Sequence, residues 1–104
     1  MQFGNKGKHE QPLPTARGIR RSCSKELYRT IKRLKTYIPP EKVKEAEELY
    51  FRKVAGNLIW IAENGKNRKK LSDWFDEAVA DDIAKLWEID RDRLSHAFRN
   101  AFGG

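Results

Sequence analysis

With a single cysteine, Cys23, among its 104 residues, this chain can close no disulfide within itself. No window approaches the roughly 20 consecutive apolar residues of a membrane-crossing helix. The N-terminal stretch has no apolar core of the secretory-signal kind. The expectation is a soluble, cytoplasmic protein with no membrane partner. Histidine is scarce: His9, His96 and Cys23 stand apart, without the spacing of a metal site. No glycine-rich phosphate loop follows a strand, and no alternating strand pattern competes with the helical ones. Asp92 and His96 are four apart on one helix, a spacing more often used for a surface hydrogen bond than for a catalytic relay. No cofactor, metal or enzymatic activity is expected, and Cys23 reads as a buried or idle thiol.

What the chain has in excess is positive charge, unevenly spread. The formal net charge is +7. Residues 1–36 hold ten basic and two acidic side chains, residues 37–70 eight and five, and residues 71–104 four and eight. A basic front and an acidic rear point to a polyanionic partner. Three Trp, three Tyr and five Phe are enough to anchor one modest core.

Residues 1–21 are polar and carry Gly4, Gly7, Gly18, Pro12 and Pro14, so they are expected to form a flexible basic arm. Within it Arg17, Arg20 and Arg21 resemble the arms that some DNA-binding proteins lay in a minor groove. Residues 22–104 are expected to form a single helical domain. The first helix should start at Ser22 or Ser24 and carry a stripe of Leu27, Ile31 and Leu34, with Arg29, Lys32, Arg33 and Lys35 opposite. Pro39 and Pro40 should end it and open a second helix reaching Asn64. That helix is apolar on two faces, and Gly56 in it suggests a close helix crossing. Asn64-Gly65 is a stop signal, and Lys66, Arg68, Lys69 and Lys70 read as a loop able to clamp phosphates. Ser72 should cap the third helix, with Asp81 or Asp82 capping the next. Of Trp60, Trp74 and Trp87, at least two should be buried.

The stretch D-I-A-K-L-W-E-I-D-R-D-R-L-S-H-A-F-R-N-A-F-G, residues 82–103, has the apolar spacing of two short helices around a tight turn. Asp90 can accept from the free N–H groups of the second helix. Leu94 to Gly103 resembles the end of the second helix-turn-helix of AraC-type transcription regulators, and Ile83-Ala84 its start. Where that family has a turn glycine, this chain has Glu88. The resemblance implies a recognition helix that shows Arg91, Ser95, His96 and Arg99 to base edges.

The fold expected is therefore all-α: a compact bundle of four to five helices ending in a helix-turn-helix-like pair, behind a disordered basic arm. The leading function is a small DNA-binding transcriptional regulator. Phosphate contacts would come from Arg17, Arg20, Arg21, Lys66, Arg68, Lys69 and Lys70, and base contacts from Arg91, Ser95, His96 and Arg99. DNA is favoured over RNA as the nucleic-acid partner. The alternatives are an RNA-binding ribonucleoprotein subunit, which would read shape and backbone with the basic arm and first helix and use the rear as scaffold, and an interaction module whose acidic residues 73–92 dock a protein.

Overall fold

Thr15 opens the first helix: its Oγ1 accepts a hydrogen bond from the Gly18 N–H at 3.0 Å, capping α1 (Ala16–Leu34). The computed structural model describes residues 13–102. The helix thus begins six residues before Ser22. Ile19 and Cys23 extend the inward stripe of Leu27, Thr30 and Leu34 backwards at helical spacing, and all five are buried. Arg17, Arg20 and Arg21 are therefore helical rather than part of an arm. Residues 1–12 of the expected arm lie outside the described residues.

Lys35, in the left-handed conformation, ends α1, and Pro40 opens α2 (Pro40–Gly56) as the prolines require. The expected long second helix breaks at Asn57, where φ is −125° and ψ is 35°, and α3 (Leu58–Asn64) follows. The Asn57 side chain bonds back to the Lys53 carbonyl at 2.9 Å, and its N–H turns to the Val54 carbonyl at 3.0 Å. Gly56 is not at a helix crossing. It is exposed, and a Cβ there would meet nothing within 4 Å. Glycine there adds flexibility beside the break.

Gly65 follows α3, as the Asn-Gly signal indicated. Asn67 caps α4 (Arg68–Ala78) by accepting from the Lys70 N–H at 3.1 Å. Ser72 is not the cap; it is buried inside α4. Neither Asp81 nor Asp82 caps α5 (Ala80–Trp87), although both lie in its first turn, where the helix dipole favours carboxylates. Asp90 does cap α6 (Arg91–Phe102), accepting from the Arg93 N–H at 3.0 Å. The described residues hold six helices, not four or five, because the second breaks and the rear divides at Val79 and Glu88.

Three residues, Glu88 to Asp90, join α5 to α6. Glu88 takes φ 57°, the left-handed conformation that glycine adopts freely. Its N–H reaches the Lys85 carbonyl at 3.3 Å and the Ile89 N–H the Ala84 carbonyl at 3.0 Å. That pair of bonds closes a helix end without glycine.

Helix α6 lies at the centre, packing against α1, α4 and α5, while α1 also packs on α2. Aromatic rings tie these elements together. Phe75 and Phe98 stack with centroids 3.8 Å apart, and Tyr50 meets the Phe75 edge at 5.5 Å. Leu27, Ile83 and Leu94 complete the fully buried core around them. Only one tryptophan is buried: Trp87 is 6% exposed, and its indole N–H donates to the Lys42 carbonyl at 3.0 Å. Trp60 and Trp74 stack on each other at 6.1 Å, both half-buried, because the break at Asn57 leaves α3 at the bundle's edge.

Phe98→Ala should lower stability by about 3–5 kcal/mol, through lost burial and the cavity left behind. Glu88→Gly should raise it by about 1 kcal/mol by relieving the left-handed backbone. Urea titration followed by circular dichroism measures both, and an unmoved midpoint for Phe98→Ala would refute the ring stack as the centre of the core.

Candidate nucleic-acid interface

The outer face of α1 is the most strongly charged surface built from a single element. Arg17, Arg21, Lys25, Arg29, Lys32 and Arg33 are all exposed along it, and Lys35 follows at its end. Their spacing complements the buried stripe, so the sequence that builds the core also sorts the cations outward. Nineteen residues give a face roughly 28 Å long. The helix has one carboxylate, Glu26, and it turns inward to accept from the Tyr50 hydroxyl. None of these seven cations makes an ion pair with a described residue. Arg17 even sits in the first turn, near the positive end of the helix dipole, where a cation costs about 0.3–1 kcal/mol. Folding alone gives no reason for that placement.

Two aromatic side chains stand among these charges: Tyr28 is 60% exposed and Tyr37 77%. The Lys32 ammonium lies 5.0 Å from the Tyr28 ring centroid, within cation–π range. Arg20 differs from its neighbours, pairing with Glu48 at 2.5 Å and lying 4.0 Å over the Phe51 ring. It fastens α1 to α2.

The four residues expected to read bases do not share an open face. Ser95 is buried, and its Oγ bonds no described residue. Arg99 is clamped by Asp73 at 2.6 Å and Asp76 at 2.5 Å. Arg91 donates to the Asp76 carbonyl at 2.6 Å and pairs with Asp81 at 2.6 Å. His96 is exposed, flanked one turn away on either side by Asp92 and Asn100. Three helices pack on α6, so its buried arc widens beyond Leu94 and Phe98 to take in Ser95 and Ala97. Arg93, which sequence reasoning passed over, donates to the Leu34 carbonyl at 2.7 Å and to Thr36 Oγ1 at 2.8 Å, holding the end of α1.

The basic run at residues 66–70 is not a loop from Arg68 onward but the first turn of α4. Arg68 donates to the Phe102 carbonyl at 2.9 Å, Lys69 pairs with Asp73 at 3.3 Å, and Lys70 donates to Asn64 Oδ1 at 3.3 Å. Lys66 remains exposed, at the mouth of a cavity of about 430 Å3 between the start of α1 and α3. The fold thus gathers Lys69 and Arg99 around Asp73 and Asp76, turns Arg68 to the end of α6, and keeps Arg17 and Arg21 apart on α1. The acidic residues of the rear are largely engaged within the chain, since Asp82 also pairs with Lys53 at 3.5 Å.

Arg29, Lys32, Arg33 and Lys35 were expected on the outer side of the first helix, but no phosphate contact was assigned to them by residue, nor to Lys25 or Tyr28. Their signal was the four-residue rhythm Arg17, Arg21, Lys25, Arg29, Arg33, hidden by starting the helix at Ser22. Among the described residues no group of three or more His, Cys, Asp or Glu side chains could hold a metal, and no helix is long and apolar enough to cross a membrane. No protein-family model matches the chain, and neither does any curated protein or solved structure.

Beneath the cationic face lie buried polar groups. Burial pushes the Cys23 thiol up to about 12, with Glu26 and Glu47 adding to the effect. Burial also raises Glu26 above the usual carboxylate range, although the Tyr50 hydroxyl opposes this. A carboxyl raised on folding is stabilising at low pH, and that contribution fades as pH climbs from the unfolded value through the folded one. Glu26→Gln keeps an acceptor for Tyr50 without a charge, so its stability relative to wild type should improve as pH rises from about 4.5 towards neutrality. Denaturation midpoints across that window measure it, and a constant difference would contradict the buried-carboxyl account. Cys23 should react with a thiol reagent at pH 8 only as fast as the chain opens. Labelling at the rate of a free thiol would show it unburied.

Proposed function

We propose that the protein binds nucleic acid through the outer face of α1, holding the sugar-phosphate backbone by charge. The observation that carries this is the row of seven cations on and just beyond one helix, none within ion-pair distance of a carboxylate of the described residues. A field of one sign along some 28 Å fits a linear polyanion better than a compact ligand. Lys66 near the start of α1 extends the same charge.

In this reading the rear of the domain is scaffold. The lengths of α5 and α6 and their three-residue link fit a helix-turn-helix, and the left-handed Glu88 stands where such a turn favours glycine. The outer surface of α6, however, offers Asp92, Arg93, His96 and Asn100, with Arg93 already bonded to Leu34 and Thr36. This supports a backbone-binding, ribonucleoprotein-like role over a sequence-reading transcription regulator. Phosphate contacts position a protein without reporting sequence.

Affinity for any oligonucleotide should fall steeply with salt, as counterions are released. Changing Arg21, Lys25, Arg29 and Lys32 together to Ala should flatten the logarithmic salt slope by roughly 3, at 0.7–0.9 per phosphate contact. Changing Lys53 and Lys85, which lie off this face, should leave the slope near that of wild type. Fluorescence anisotropy with labelled DNA and RNA gives both numbers. Binding that ignores salt, or a quadruple variant with the wild-type slope, would overturn the proposal.

A further inference from the structure

Beside the basic face, α1 and α2 enclose an open groove of about 530 Å3. Its apolar lining is the Tyr28 ring with Ile31 and Val43, and its cationic rim is Arg21 and Lys25, one helical turn apart. At its polar end Ser24 Oγ donates to Glu47 Oε2 at 3.0 Å. Glu47 Oε1 has no hydrogen-bond partner among the described residues. We infer that this groove is a subsite for one unpaired nucleobase of the bound strand, so that the protein prefers single-stranded nucleic acid to duplex. The inference rests on the backbone-binding reading of α1 and adds to it a reason for strand selection.

Each part of a nucleotide has a matching wall. A base has an apolar, polarisable face, and an exposed tyrosine ring offers the flat partner on which it stacks. Tyr28 lies between Lys25 and Arg29 along α1, and the Lys32 ammonium lies over one face of its ring, so a base would stack on the other. Ile31 and Val43 remove the far edge of the base from water. A carboxylate accepts hydrogen bonds and donates none. Glu47 therefore suits the exocyclic amino groups of adenine, cytosine or guanine. Uracil and thymine place a single N–H between two carbonyl oxygens, which a carboxylate repels. A base inside a duplex can use none of this: its faces are stacked and its pairing edge is occupied. No wall of the groove is assigned to the sugar, so RNA and single-stranded DNA share the chemistry.

The experiment is anisotropy titration of the full chain, at one salt concentration, with labelled 12-nucleotide oligo(A), oligo(U), oligo(dA) and a 12-base-pair duplex. Single strands should bind more tightly than duplex, and oligo(A) more tightly than oligo(U). Tyr28→Ala should weaken oligo(A) about ten-fold and leave duplex binding unchanged, while Tyr28→Phe, which keeps the ring, should bind like wild type. Glu47→Gln should bring oligo(A) and oligo(U) to similar affinity. Thermal melts of each variant, compared with wild type, confirm an intact fold; Tyr28 is outside the core. If Tyr28→Ala preserves the wild-type ratio of single strand to duplex, the base subsite is wrong while the backbone reading stands. If no oligonucleotide binds at any salt, both readings fall. Equal binding of oligo(A) and oligo(dA) marks the shared nucleotide chemistry, and preference for only one of them would overturn the sugar-independent form argued here.

Discussion

The stack of Phe98 on Phe75, with centroids 3.8 Å apart and Tyr50 set edge-on at 5.5 Å, is the contact on which the rest of the molecule depends. It joins α6, α4 and α2 at one point. Large rings bury more surface per residue than any aliphatic side chain, and a chain of this size has few other ways to make a core. Once Phe98 is committed to that stack, α6 becomes the central helix. Its rotation is then fixed, and so is the fate of every polar residue along it.

That fate is largely structural. Arg91, Arg93 and Arg99 direct their guanidinium groups to carbonyls and carboxylates of the same chain. Arginine suits such work because its planar fork can serve several acceptors at once. Asp73, Asp76 and Asp81 are drawn into the same pairs, so the acidic rear neutralises its own cations. On α1 only Arg20 is compensated in this way among the described residues, by Glu48. The helix's single carboxylate faces inward and its other cations face water, which leaves the positive charge of the chain concentrated on one outer face. The division of labour follows from packing: the helix in the middle uses its charges for cohesion, and a helix with a free outer face leaves most of them in solvent.

The groove beside Tyr28 follows from the same arrangement. Helices α1 and α2 pack together, with Leu27 and Ala46 both in the buried core, and Arg20 and Ser24 reach across to Glu48 and Glu47. Ile31 and Val43 lie nearer the surface and stay only partly covered. A strip of apolar surface rimmed by cations is the combination that neither a purely structural helix pair nor a purely electrostatic surface would present.

How much of this could be read from residues alone depends on whether a signal was local. The helical class, the proline start of α2, the Asn-Gly end of α3 and the Asp90 cap are local, because each depends on backbone groups within a few positions of the residue that marks it. The core positions Leu27, Leu34, Leu94 and Phe98 were legible for the same reason, as periodic apolar residues on single helices. The positive charge of the first third was fixed by composition. The start of α1 was misread because Gly18 and the prolines before it looked like a mobile arm, and only contact with the bundle makes Ile19 and Cys23 part of a helix face. The break at Asn57, marked by local bonds of its side chain and N–H, carries no proline or strong stop signal, and its apolar neighbours read as a continuous helix. Above all, the sequence placed Arg91, Ser95 and Arg99 opposite the apolar stripe of one helix, and it could not say how many other helices would cover that side. Burial is a property of neighbours in space, and three helices close on α6. The sequence by itself determined which residues carry charge and that the chain is helical; tertiary packing decided which of those charges are consumed inside the fold and which stay in solvent, because only distance between elements far apart in the chain turns a cation into half of an ion pair.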